Sequence, residues 1–163
     1  MIFIALGANL PSSYGQPHET LAAAITAIGA AGDIDVLAES SVWLTAPVPV
    51  SDQPWYHNAV ISVDTDLSPF ALLERLQDIE NEFGRVRSVR NAPRLIDLDL
   101  VAFDDVILDK PELIVPHPRL HQRAFVLLPL QEIAPDWVHP LSGDTVDEII
   151  AEIPADQSAR KMS

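Results

Sequence analysis

With 163 residues, 48% of them apolar, the chain is long enough to bury one sizeable core, and residues 1–163 are expected to form a single domain. A formal net charge of -14 argues against nucleic acid as a partner, because phosphates would be repelled over most of the surface. The absence of cysteine excludes disulfides, thiol nucleophiles and Cys-ligated zinc and accords with a reducing compartment, while the apolar start, Met1 to Leu6, lacks a basic leader and is far too short to span a bilayer. Together these features predict a soluble cytoplasmic protein with no membrane partner.

Met1 to Leu6 reads as a buried strand closed by Gly7, followed by a loop through Ser13. Leu21, Ile25 and Ile28 recur at helical spacing with alanines between them, so a helix is expected from about His18 to Ala31. Asp33 to Leu44 reads as one long strand. Thr45 to Pro54 holds three prolines and is a loop. Asn58 to Asp66 is rich in β-branched residues and predicts another strand. After Ser68-Pro69, the stripe Leu72, Leu73, Leu76, Ile79 and Phe83 predicts a helix stopped at Gly84. Ile96 to Phe103 is then the fourth core strand.

The order β-α-β-β-α-β predicts an α/β (α+β) fold with a ferredoxin-like, split-βαβ core, in which an antiparallel sheet carries both helices on one face and leaves the other for ligands. A hairpin around Asp104-Asp105, a proline-rich turn at Val115-Pro-His-Pro and helices after Leu120 and Thr145 are expected to extend it, with Asp156 to Ser163 frayed.

No Lys or Arg precedes Arg75, yet four of the ten basic residues, Arg85, Arg87, Arg90 and Arg94, stand directly before Asp97 and Asp99. Cations concentrated beside acids suggest a site for a polyanion and its divalent metals; a basic loop on an acidic surface is the alternative. Alternate strand residues share a face, so Asp97 and Asp99 point together, with Cα atoms about 6.5 Å apart, and both carboxylates reach one or two metal ions. Magnesium suits all-oxygen ligands that bridge phosphates, whereas zinc prefers histidine and no HExxH pair is present. A water-facing acidic strip is the competing reading.

No GxxxxGK[ST] loop, GxGxxG or GxSxG elbow occurs, so a nucleotide would be held by arginines and metals. Of the histidines, His117 lies between two prolines and faces a ligand or serves structure; His18, His57, His121 and His139 show no ligand spacing.

Several segments together resemble the 6-hydroxymethyl-7,8-dihydropterin pyrophosphokinase family. They are Ile4-Ala-Leu-Gly-Ala-Asn-Leu, Asp52-Gln-Pro-Trp-Tyr-His-Asn, Gln77 to Arg87 and Pro93-Arg-Leu-Ile-Asp-Leu-Asp-Leu, followed by Val115-Pro-His-Pro-Arg, Arg123-Ala-Phe-Val-Leu-Leu-Pro-Leu and Glu132-Ile-Ala-Pro. The resemblance implies an ATP-dependent pyrophosphokinase of folate biosynthesis, a transferase that moves pyrophosphate from ATP to 6-hydroxymethyl-7,8-dihydropterin and releases AMP. It implies two Mg2+ ions bound with ATP at Asp97 and Asp99, Arg85 and Arg94 as catalytic cations, and ATP contacts from Gln77, Glu80, Arg87, Arg90, His117 and Arg123. The pterin would lie between Tyr56 and Phe125, bonded by Asn58 and by backbone near Thr45 and Val48. A monomer acting on these small molecules is expected.

Similar enzymes commonly carry a tryptophan where this chain has Asn91, in a loop here one residue shorter, and a basic and a hydroxyl residue where Glu112 and Ile114 stand. Two rivals remain at this level: a magnesium-dependent nucleotidyltransferase on the same sheet, which would release pyrophosphate, and a non-catalytic ferredoxin-like binding module.

Overall fold

A computed structural model describes residues 1–46, 54–84, 95–154 and 157–162. Its elements run β1 (Ile2–Ala8), α1 (Pro17–Ala30), β2 (Ile34–Glu39), β3 (Trp43–Thr45), β4 (Tyr56–Thr65), α2 (Pro69–Gly84), β5 (Asp97–Phe103), β6 (Leu108–Lys110), β7 (Leu113–Val115), a short 3-10 turn (Leu120–Gln122), α3 (Ala124–Ile133), α4 (Val146–Ala151) and β8 (Ala159–Lys161).

The main sheet is antiparallel in the order β5-β1-β4-β3-β8, and β2 also pairs with β4. Each of the first two helices therefore joins two strands with a third lying between them: β4 between β1 and β2, and β1 between β4 and β5. That is the expected interleaving of an α+β sheet.

Helix α1 begins at Pro17, whose fixed φ suits a first turn, and Glu19 reaches back to accept from the Gln16 N–H at 3.0 Å. Its Leu21, Ala24 and Ile28 join Leu72, Leu76, Ile79 and Phe83 of α2 on one face of the sheet, against Ile4, Leu6, Ile61, Leu98 and Leu100. The apolar stripe read from the sequence is this buried face.

The opposite face is not left open along its whole length. Phe3, Ala5, Val60 and Val101 form a second core with Leu127 and Leu130 of α3 and with Val146 and Ile149 of α4, and Trp137 stands edge-on to Phe3 at 5.9 Å. A bulge opposite Phe3 and Ile4 places one extra residue in β5, so Val101 and Ala102 both serve this second core. Among the described residues, the end of the face toward Gly7, Asn58 and Asp97 is the part that α3 and α4 leave uncovered for a ligand.

Four further expectations are corrected. Asp33 to Leu44 is two strands, because the Ser40 hydroxyl accepts from the Val60 N–H at 2.9 Å and takes the place of a backbone partner in the ladder. The hairpin is β6–β7, turning at Pro111-Glu112, while Asp104-Asp105 is a turn with Asp104 at φ 50. The C-terminus is not frayed throughout: β8 pairs with β3 and removes a free sheet edge. Strand β1 also runs through Gly7 to Ala8 instead of closing before it.

Candidate active site

Strand pleating brings the site together. Across the sheet, Gly7 faces Asp97 on one side and Asn58 on the other, and the next same-face row sets Ala5 between Asp99 and Val60. Directly paired residues of antiparallel strands share a face, so both aspartates and Asn58 point to the side of α3. The alternation in β5 is as expected: Leu98 and Leu100 are buried toward α2, while Asp97 and Asp99 stay partly exposed.

Between these rows and the start of α3 lies a cavity of about 220 Å³. Ala5 and Gly7 form its floor, with no side chain large enough to fill it. Thr45, Ala46, Tyr56 and Asn58 line one side, Asp97 and Asp99 the other, and Arg123 and Phe125 reach in from α3 and its N-cap. Seven residues singled out from the sequence thus meet: Thr45, Tyr56, Asn58, Asp97, Asp99, Arg123 and Phe125.

Asn58 is 5% exposed, and its Nδ2 donates to Thr45 Oγ1 at 2.6 Å. Gly7 permits this arrangement, since a Cβ there would stand 2.9 Å from Asn58 Oδ1. The Arg123 guanidinium lies 4.0 Å from Asp99 and 5.3 Å from the centre of the Phe125 ring. Burial pulls its pKa down and Asp99 opposes that, but an arginine keeps its charge in either case.

His117 adjoins the cavity without lining it. Its N–H donates to the Val101 carbonyl at 2.8 Å, and Nδ1 accepts from the Arg119 N–H at 3.2 Å. Burial first, and then the Arg123 cation, hold its pKa below the ordinary histidine value, Asp99 working the other way. The imidazole is therefore neutral at pH 7.

Gln77 and Glu80 stand on α2, in the layer on the far side of the sheet. Gln77 is exposed, and Glu80 accepts from the Leu98 N–H at 2.9 Å, which ties the outer edge of β5 to α2 between the two aspartates. Val48, Arg85, Arg87, Arg90 and Arg94 lie outside the described residues, as does Asn91. Glu112 and Ile114 sit on the β6–β7 hairpin, away from the cavity lining.

Sequence reasoning missed Gly7, Ala5, Leu6 and Ala46 as lining residues. The available signal was a glycine inside a strand, which marks close approach by another group.

Among the described residues no three acidic or histidine side chains cluster as a metal cage. Two same-face carboxylates without a third fit a hard cation that completes its shell with water and phosphate oxygens, as magnesium does.

A family model described as 7,8-dihydro-6-hydroxymethylpterin-pyrophosphokinase matches residues 3–135. Proteins named 2-amino-4-hydroxy-6-hydroxymethyldihydropteridine pyrophosphokinase are similar over nearly the whole chain. That of Pseudomonas aeruginosa is 40% identical over 153 residues, 94% of this chain and 91% of the relative. That of Haemophilus influenzae is 41% identical over 160 residues, 98% of this chain and 94% of the relative. A third, the folic acid synthesis protein fol1 of Pneumocystis carinii, is 40% identical over 152 residues, 93% of this chain but 20% of that longer protein.

Proposed function

The chain belongs to the 7,8-dihydro-6-hydroxymethylpterin-pyrophosphokinase family, and from that premise we propose that it transfers the pyrophosphoryl group of ATP to 6-hydroxymethyl-7,8-dihydropterin, giving the pterin diphosphate and AMP for folate synthesis. The observation that carries this reading is the sharing of one cavity by two chemistries, a polar and aromatic side (Thr45, Tyr56, Asn58, Phe125) and an acidic side (Asp97, Asp99), with Ala5, Leu6 and Gly7 of β1 between them.

A volume of about 220 Å³ falls below the roughly 300 to 1,000 Å³ of common ligand pockets. It suits one bicyclic ring and leaves a triphosphate to the open acidic rim. In this reading Tyr56 and Phe125 offer ring faces to the pterin, and Asn58 offers an amide edge to its polar atoms. Magnesium, held by Asp97 and Asp99 as two ions, would neutralise phosphate charge and orient the oxygens. Arg123 meets the phosphates from the α3 side, with Arg87, Arg90 and His117 as further nucleotide contacts and Val48 as a backbone pterin contact; Gln77 and Glu80, on the α2 side, would be met where the nucleotide passes the outer edge of β5. Arg85 and Arg94 stabilise the charge that develops as the hydroxymethyl oxygen bonds to the β-phosphorus and the bridge to the α-phosphorus breaks. Positioning and electrostatics, not a covalent intermediate, supply the acceleration.

One family model spans residues 3–135 without a break, which supports a single domain, and we propose that the protein acts on these small molecules as a monomer. No helix among the described residues is long and apolar enough to cross a membrane, and we place the activity in the cytoplasm. The test is incubation with ATP, magnesium and the pterin alcohol. AMP and pterin diphosphate in equal amounts are expected. Release of inorganic pyrophosphate would favour nucleotidyl transfer, and no turnover would favour a binding module.

A further inference from the structure

Arg123 occupies the N-cap of α3 in an extended conformation, φ -122 and ψ 91, and its side chain makes no capping bond. The first N–H groups of a helix have no partner within it. Here the Ala124 N–H donates to Oε1 of Gln157 at 2.9 Å, while Nε2 of the same side chain donates to the Gln122 carbonyl at 2.6 Å. One side-chain amide from 34 residues downstream of Arg123 therefore bridges the peptide groups on its two sides.

The segment that delivers Gln157 is itself anchored to the other side of the cavity. The Ser158 carbonyl accepts from the Ala46 N–H at 3.1 Å, and β8 sets Ala159 opposite Thr45. Beyond the strand, the Met162 N–H donates to the Val42 carbonyl at 2.8 Å. The Arg160 guanidinium lies 5.8 Å from the centre of the Trp55 ring and Lys161 Nζ lies 5.7 Å from that of Trp43. Residues 157–161 thus join the side that carries Thr45 and Ala46 to the side that carries Arg123 and Phe125, and all of them lie beyond the 3–135 stretch matched by the family model.

We propose that Gln157 is a positioning residue for Arg123, acting through the backbone to fix the direction from which the guanidinium meets an anionic substrate. This rests on the proposed phosphate contact of Arg123. The direction of a side chain follows from the φ and ψ of its own residue, and Gln157 restrains both flanking peptide planes at once. Without it the buried Ala124 amide loses its acceptor, the first turn of α3 frays, and Arg123 and Phe125 must be ordered at the moment of binding. That cost falls on substrate affinity and on alignment in the transition state.

Two variants of the full chain test this. Gln157→Ala removes both bonds. Gln131→Ala removes a bond of similar length on the same helix, from Gln131 Nε2 to Asp147 Oδ1 at 2.6 Å, which faces α4 and not the cavity. Steady-state kinetics for both substrates, ATP titration, melting temperature and hydrogen exchange at the Ala124 amide are measured on each. Gln157→Ala is expected to lower kcat/KM about 10-fold, at the lower end of what two lost hydrogen bonds are worth, to weaken ATP binding, and to speed Ala124 exchange. Gln131→Ala is expected to lower the melting temperature with wild-type kcat/KM. Wild-type kcat/KM in Gln157→Ala would overturn the proposal, as would an equal kinetic loss in Gln131→Ala. Should the wild type form no AMP, the pyrophosphokinase reading fails separately; unchanged ATP affinity and unchanged Ala124 exchange in Gln157→Ala would then sink the positioning role by itself.

Discussion

Gly7→Ala separates the site from the fold, because it is expected to weaken ligand binding while leaving stability nearly unchanged. Gly7 lies inside β1 and is not among the glycines with positive φ, so its backbone accepts an L side chain without strain. Replacing a strand glycine removes its entropic penalty, roughly 0.5 to 1 kcal/mol in favour of the fold. Against that gain, the new Cβ would stand 2.9 Å from Asn58 Oδ1 and, among the described residues, meet no other side chain within 4 Å. Asn58 has little room to yield, since it is 5% exposed and its Nδ2 is held by Thr45 Oγ1 at 2.6 Å. The amide must turn, and its polar edge turns with it.

If that edge binds the pterin, the loss is that of a buried polar partner, about 1 to 3 kcal/mol, or roughly 5- to 150-fold in affinity. Asp97, on the other side of Gly7, is out of reach of the methyl, so ATP affinity is expected to hold. The melting temperature is expected to stay near wild type, because relief of the glycine penalty offsets the displaced amide. Calorimetry with each ligand alone, together with a thermal melt, decides the matter. Equal weakening of ATP and pterin, or unchanged pterin affinity, would refute the assignment of Asn58 to the pterin.

Asp97→Ala and Asp99→Ala are each expected to abolish AMP formation, and Asp99→Ala is expected to keep the melting temperature without magnesium, because the 4.0 Å contact of Asp99 with Arg123 is a partly exposed pair of little worth; near wild-type turnover in either variant would rule out metal binding there. Arg94→Ala is expected to lower kcat by about 100- to 1,000-fold, the cost of removing one transition-state donor, with ATP affinity nearly kept, and a change confined to KM would demote it to a binding contact. Glu132 is expected to stabilise the fold in a pH-dependent way. Burial alone would raise its pKa, but hydrogen bonds from the Ser41 hydroxyl and N–H and from Trp43 Nε1, with Lys161 nearby, outweigh this and hold it below the usual glutamate value. A depressed folded-state pKa stabilises above the unfolded value, so the melting-temperature gap between wild type and Glu132→Gln is present at neutral pH and closes as pH falls below about 4; a gap that widens on acidification would contradict it.

What can be read from the sequence follows from the range of each signal. Period-two alternation in β5 needs only neighbours within the strand, so the shared face of Asp97 and Asp99 is legible in the residue order alone. The same holds for the α2 stripe from Leu72 to Phe83, which repeats at intervals of a helical turn. The break between β2 and β3 is not legible, because it depends on the Ser40 hydroxyl reaching the Val60 amide, and a serine in a strand gives no local sign that its side chain has replaced a backbone bond. The second core is hidden for a related reason: apolar residues in α3 fix a helix but not which side of the sheet it covers. Once α3 is placed there, the ligand face contracts to the Gly7 end.

The site's cations illustrate the same limit. The arginine cluster before Asp97 stands out because it is contiguous in an acidic chain, while Arg123 has only the resemblance to recommend it. Its place over Asp99 is set by contacts that are remote in sequence: α3 carries it, Asp99 on β5 faces it, and Gln157 grips the peptides on either side. A three-residue strand of one small and two basic residues, Ala159–Lys161, has too little pattern to announce itself as a strand. It exists because β3 offers an unpaired edge and Trp43 and Trp55 offer ring faces to Lys161 and Arg160. On the proposed role of Gln157, Arg123 is steadied by a segment whose own structure is borrowed from the neighbouring side of the cavity, and changes near the C-terminus are expected to be felt first in the alignment of Arg123 and only afterwards in the stability of the sheet.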